Sequence, residues 1–210
     1  MPPIPKRRKR PVLQWARGLL LALAVASLGY VGYSLVDASL FQAYANWRFS
    51  RAIENPPAAP AVAPKVLAVS SPSVVPSAAL TRGSVLGRLE ISRIGISVIV
   101  VEGTDGRTLR RAVGHIPGTA LPGEQGNIAI SGHRDTFFRA LKDIQQNDEV
   151  SLTTLTGLYR YRVESIEVVE PSDMAVLDDS GESVLTLVTC YPFYFVGLAP
   201  KRFVVRAHRM

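Results

Sequence analysis

The sequence predicts a mainly β domain, a closed antiparallel-type barrel with two or three short helices, preceded by one transmembrane helix. Three observations predict it. An uncharged run of 19 residues, Gly18–Val36, lies near the amino terminus. A Pro-rich stretch then breaks the chain between Pro56 and Pro76. Beyond residue 84 come seven or eight short β-branched runs separated by turn residues, with little room for helix.

The elements follow in chain order. Lys6, Arg7, Arg8, Lys9, Arg10 and Arg17 give residues 1–17 a charge of +6, out of +7 for the whole 210-residue chain. The excess is therefore a feature of one end and not of a folded face, so a nucleic-acid-binding role is not expected. The apolar run that follows reaches about 28 Å as a helix, close to the hydrocarbon thickness. Trp15, Tyr30 and Tyr33 sit towards its ends, as interfacial aromatics do. A cleaved signal peptide has a shorter apolar stretch and a small-x-small exit beyond it, whereas Ala22, Ala24 and Ala26 lie inside this one. A buried core helix leaves the flanking cations unexplained. The reading is an uncleaved signal anchor: 1–17 a basic cytoplasmic tail touching anionic lipid, 18–37 the span, and everything after it outside the membrane.

Residues 38–84 read as a membrane-proximal segment and a stalk. Phe41, Tyr44 and Trp47 recur at helical spacing up to residue 54. Six prolines between Pro56 and Pro76 then block both helix and central strand. From 85 to 210 the strand signals are dense: Arg88–Ile91, Ile96–Val101, Asn127–Ser131, Asp148–Thr153, Tyr159–Val169, Ser183–Thr189 and Arg202–Ala207. Short helices are expected near Gly106–Val113 and Thr136–Ile144, and Gly118–Gly126 reads as a turn region. It holds no lysine and opens onto no long helix, so it is not a phosphate cradle.

The chain has one cysteine, which excludes an internal disulfide and any multi-thiolate zinc site. Cys190 ends an apolar strand and is followed by Tyr191-Pro192, where a central strand must stop. Such a thiol sits at a barrel rim within reach of substrate. A free cysteine also serves as a small core hydrophobe, so residue type alone does not decide. Of three histidines, His133 shares the strand-end position, in Ser131-Gly-His-Arg-Asp135. His115 reads as a turn histidine and His208 as exposed near the carboxyl end. Arg202 opens the last strand after an eleven-residue excursion that returns it towards Cys190, and its planar fork suits an oxyanion better than Lys201 does. Asp135 either orients His133 or caps the following turn.

These residues carry a resemblance. Thr186-Leu-Val-Thr-Cys190, Arg202 twelve positions on, and Ser-Gly-His133-Arg-Asp resemble the sortases, the cysteine transpeptidases of bacterial cell surfaces. The stretch from His115-Ile-Pro-Gly-Thr to Leu-Pro-Gly-Glu-Gln-Gly-Asn127 is similar to the segment that precedes the family histidine. Arg134-Asp-Thr-Phe-Phe138 and Cys190-Tyr-Pro-Phe193 are most similar to class D. The resemblance spans about residues 86–208.

It implies a closed eight-stranded β-barrel with Cys190, His133 and Arg202 gathered at one end. Cys190 is then the nucleophile that attacks the Thr carbonyl of an LPxTG-like sorting signal, forming a thioacyl enzyme. His133 protonates the leaving amine and later deprotonates the incoming one. Arg202 holds the oxyanion or the substrate backbone. Thr189 is a candidate for the same substrate pocket. Expected partners are surface proteins bearing the sorting signal, an amine acceptor such as a wall peptide or pilin lysine, and membrane lipid. No cofactor is implied. Glu102, Asp105, Glu164, Glu167, Glu170 and Asp173 are scattered and form no metal loop, so no metal is expected. A thiol peptidase that only hydrolyses would use the same residues. A non-catalytic tethered module would use none of them.

Overall fold

The runs of Val, Ile and Leu after residue 84 pair into eight strands. In a computed structural model of the chain, residues 10–55, 81–179, 181–195 and 197–210 are described. The strands are β1 (Val85–Ile91), β2 (Ile96–Glu102), β3 (Val113–His115), β4 (Asn127–Ser131), β5 (Glu149–Thr154), β6 (Leu158–Val169), β7 (Val184–Tyr191) and β8 (Lys201–Arg209). They close into a barrel in the order β1-β2-β3-β4-β7-β8-β6-β5. The eight-stranded barrel is as expected, and six of its seams are antiparallel. The β2–β3 and β4–β7 seams are parallel. Hydrophobic alternation sets which face a strand buries and is silent on which strand lies beside it.

Alternation does build the core. Leu89, Ile91, Val98, Val100, Ile128, Ile130, Leu152, Tyr161, Leu185, Leu187 and Val205 meet in one buried cluster. Fully burying each aliphatic contributes about 1.5–3 kcal/mol. Two expected elements differ. The first helix is α2 (Gly106–Arg111), capped by Asp105, and it stops before Val113, which begins β3. The stretch expected as helix from Thr136 is a turn followed by the 3₁₀ segment Arg139–Asp143. Phe138 sits fully buried at its head, and its N–H bonds back to His133 O at 3.1 Å.

A single helix, α1 (Arg10–Glu54, 45 residues), begins the described chain. The chain divides into two compact units at Leu40/Phe41. In the first unit α1 is long and apolar enough to cross a membrane, with Leu19, Leu20, Leu23, Val25 and Leu28 exposed along it. In the second unit, residues 41–54 pack on the outside of the barrel. Ala45 and Phe49 are buried with Ile99, Val101 and Ala112, and Phe41 packs against them. Gln42 bonds twice: its Oε1 accepts from Ile99 N at 2.9 Å and its Nε2 donates to Arg111 O at 2.8 Å. The contact face is thus 41, 45 and 49, at a spacing of four, and not the 41, 44 and 47 series; Tyr44 and Trp47 stay exposed. The proposed basic tail up to residue 9, and the Pro-rich stretch over 56–80, lie outside the described residues.

The entry to β5 is tied electrostatically. Asp148, buried, accepts from Nε and Nη2 of Arg93 (the latter at 2.6 Å) and from Gln145 N at 2.8 Å. The Arg93 hydrogen bonds, followed by the Gln145 N–H, hold its carboxyl below the usual Asp range despite burial. The folded value lies below the unfolded one, so the contribution is present above about pH 4 and fades as pH falls through the folded value. Urea unfolding of the full-length chain in detergent should show a constant stability gap between wild type and Asp148→Asn from pH 7 to 5. That gap should shrink below about pH 4. A gap that persists unchanged to pH 3 contradicts the assignment.

Candidate active site

Strand parity decides which side chains share a face. On β7, Leu185 and Leu187 enter the core, so Thr186, Val188 and Cys190 face outward. On β8, Phe203, Val205 and Ala207 enter the core, which turns Arg202 outward. Ile128 and Ile130 do the same on β4, leaving Asn127, Ala129 and Ser131 on the outer face. Cys190 and Arg202 are direct partners in the antiparallel β7–β8 ladder. Ser131 pairs with Val188 in the parallel β4–β7 ladder, and Gly132 N continues it to Val188 O at 3.1 Å. His133 follows two residues after Ser131, just past the end of β4 that pairs with Val188 of β7. Cys190 and Arg202 therefore sit side by side at one rim, and the end of β4 that leads to His133 lies beside β7 near the same rim.

Local packing sharpens these positions. A Cβ at Gly132 would lie 2.7 Å from Phe138 Cδ2 and 2.9 Å from Val113 Cγ1, so only glycine lets the chain approach this closely before His133. Thr189 is 2% exposed and its hydroxyl donates to Gly132 O at 2.7 Å. That bond ties the end of β7 to the end of β4 and occupies the Thr189 proton. Asn127, whose Oδ1 accepts from Thr186 Oγ1 at 2.7 Å, donates to Val176 O and Asp178 O at 3.1 and 3.3 Å. The β6–β7 connection is thereby pinned across the outer face at the far end from Cys190.

Cys190 is a half-buried free thiol. Among the described residues neither its Sγ nor the His133 ring has a hydrogen-bond partner, so both are uncommitted. Arg202 Nη1 donates to Lys201 O at 3.1 Å and contacts Ala199 O at 3.4 Å. Asp135 is exposed and its carboxylate bonds neither to His133 nor to the turn that follows. The other histidines are elsewhere. His115 is not in a turn but in β3, buried, with Glu102 on Nδ1 at 2.7 Å. His208 pairs with Val184 at the opposite end of β7 and is held by Glu164 and Glu182 at 2.6 and 3.2 Å. No group of three or more His, Cys, Asp or Glu among the described residues could hold a metal.

Arg134 was not singled out by type or spacing. It donates to Pro192 O, Phe195 O and Gly197 O across the β7–β8 connection. In the sequence Arg134 stands out only as the residue directly after His133 that opens the stretch most similar to class D.

A sortase-domain family model matches residues 89–210. The chain belongs to the sortase family. Among curated relatives of this sortase, Sortase D of Bacillus subtilis (strain 168) is 37% identical over 129 residues, covering 61% of this chain and 65% of that protein. Sortase A of Listeria monocytogenes is 26% identical, covering 58% of this chain and 56% of its own length. The match thus spans less than two thirds of these relatives. Among solved structures, a Clostridium perfringens Sortase D5 transpeptidase aligns with a TM-score of 0.58 at 33% identity, over 62% of this chain and 82% of that one. Sortase A from Corynebacterium diphtheriae aligns with a TM-score of 0.58 at 33% identity, over 62% of each chain.

Proposed function

We propose that this sortase is a membrane-anchored cysteine transpeptidase. It cleaves an LPxTG-like sorting signal after its Thr and passes the protein to an amine at the cell surface. Residues 1–17 lie in the cytoplasm, 18–37 span the membrane, 38–84 form the spacer and 85–210 the catalytic barrel outside. Within that spacer, the helical residues from Phe41 already rest on the barrel.

The chemistry assigns one role to each rim residue. The Cys190 thiolate adds to the Thr carbonyl, and Arg202 donates to the oxyanion of the tetrahedral intermediate. His133 protonates the departing amine as the C–N bond breaks, leaving a thioester on Sγ. An acceptor amine then attacks the thioester, gives its proton to His133 and expels Cys190 as the thiolate with which the cycle began. Thr189, placed by this reading in the same substrate pocket, also ties together the ends of β7 and β4 through its bond to Gly132 O.

The observation that supports this reading most is the pairing of Cys190 with Arg202 beside the β4 end that leads to His133. The test is an LPxTG-type peptide incubated with the full-length chain in detergent and an oligoglycine or lysine-type amine. Mass spectrometry should find a thioacyl adduct on Cys190 and a ligated product that rises with amine concentration. Cleavage with no ligation at any amine concentration identifies a hydrolase, and no adduct at all identifies a non-catalytic module.

A further inference from the structure

The connection between β7 and β8, described at residues 192–195 and 197–200, joins the proposed nucleophile to the proposed cation, and little backbone structure of its own holds the described residues in place. Among its described residues the only hydrogen-bonded backbone structure is the turn at Phe193–Tyr194. Its tip is water-exposed and apolar: Tyr194 is 75% and Leu198 97% exposed. Its start is anchored by Phe193, which packs edge-on against Phe203 at 5.1 Å. Between these points three carbonyls converge on one guanidinium. Arg134 Nη1 donates to Pro192 O at 2.9 Å, and Nη2 donates to Phe195 O at 2.7 Å and Gly197 O at 3.2 Å. Its Cζ also lies 5.8 Å from the Phe195 ring centre.

The geometry assigns Arg134 as a positioning residue for the reaction proposed above, and the assignment rests on that reading. Arg134 follows His133 directly, so the segment that carries the proton-transfer group also curls the loop that links Cys190 to Arg202. The rigid fork matters because several donors in one plane reach carbonyls five residues apart, which a single ammonium does not span. Pro192 is two residues beyond Cys190 and Gly197 five before Arg202. Releasing the three carbonyls lets both groups drift relative to His133. A misplacement of about 1 Å at reacting groups costs on the order of 10²-fold in rate.

The experiment compares wild type, Arg134→Gln and Arg134→Lys as full-length chains in detergent, with the LPxTG-type peptide and an amine acceptor. We expect kcat to fall by about 10–100-fold in Arg134→Gln with KM changed less than threefold, and Arg134→Lys to recover only a minor part. Alkylation of Cys190 by iodoacetamide should stay near the wild-type rate, because the thiol remains present and open. Variants whose kcat matches wild type within twofold overturn the assignment. So does a loss carried by KM, which marks a substrate contact, and so does a fall in melting temperature that tracks the activity loss across both variants. A wild-type chain that turns over no peptide sinks the transpeptidase reading itself, and the role of Arg134 with it.

Discussion

Cys190→Ala is expected to stop peptide turnover, with rates below about 10⁻³ of wild type, while the melting temperature moves by no more than a few degrees. The two readouts separate the competing accounts of this thiol. A cysteine that fills a core loses stability on truncation and leaves no specific chemical defect. Cys190 is half-buried at a strand end, and the inner positions of its strand are filled by Leu185 and Leu187. His133→Ala should lower kcat/KM by about 10²–10⁴-fold and Arg202→Ala by about 10²–10³-fold. In the proposed reaction the three groups serve one bond-breaking step, so their effects are not expected to add. A Cys190→Ala/His133→Ala chain should be no slower than Cys190→Ala alone. Steady-state kinetics with one peptide on all four variants checks this. Normal turnover by Cys190→Ala contradicts the assignment outright.

The path from sequence to this rim was open in some places and closed in others. β7 was readable because Pro192 ends a run of apolar residues, and the side chain just inside that end is the only thiol. β6 was readable because Tyr161 and Val163 alternate with charged residues, and both are about 1% exposed. β3 was not readable. Three residues carry no periodicity, and the strand exists because it pairs with β2 on one side and β4 on the other. Phe137, Phe138, Leu141 and Ile144 imitate a helical period, but Phe138 is pulled into the barrel core and the chain tightens into a 3₁₀ turn. Residues 41–54 were readable as a helix. Their buried face was not, since small Ala45 allows the close approach while the larger Tyr44 and Trp47 face water.

The candidate site divides along the same line. Strand-end chemistry is local and announces itself through residue type and a neighbouring proline or glycine. Ties between strand ends are long-range. Nothing around Arg134 signals that its guanidinium bonds to a carbonyl 58 positions later, and nothing around Thr189 signals Gly132 O, 57 positions earlier. Sequence finds groups that do chemistry more readily than groups that hold them, because the former are rare residue types and the latter are ordinary ones in particular places.

Breaking the buried His115–Glu102 pair should produce the largest loss of stability in the barrel. His115 Nε2 lies 3.0 Å from both Ala120 O and Thr119 Oγ1. Ala120 O only accepts, and the one hydroxyl hydrogen of Thr119 goes to Ile116 O at 2.8 Å. Nε2 therefore carries a hydrogen, and a further proton sits between Nδ1 and Glu102 Oε2, 2.7 Å apart. The two side chains are only 3% and 11% exposed, so neither partner can turn to water when the other is removed. Glu102→Leu and His115→Phe should each lower the unfolding free energy by about 3–5 kcal/mol. The double variant should lose much less than the sum, since an apolar pair of similar volume leaves no unpaired charge. Urea unfolding of the four full-length chains in detergent measures the coupling, and strictly additive losses would contradict it. The effect should reach the rim as well. His115 lies opposite Ile130 in the β3–β4 ladder, and Ile116 N bonds to Ala129 O at 2.8 Å. A loosened 116–126 connection thus frees the very strand that ends in Gly132 and His133. Near its lowered melting point, the single Glu102→Leu variant should lose turnover before the barrel unfolds.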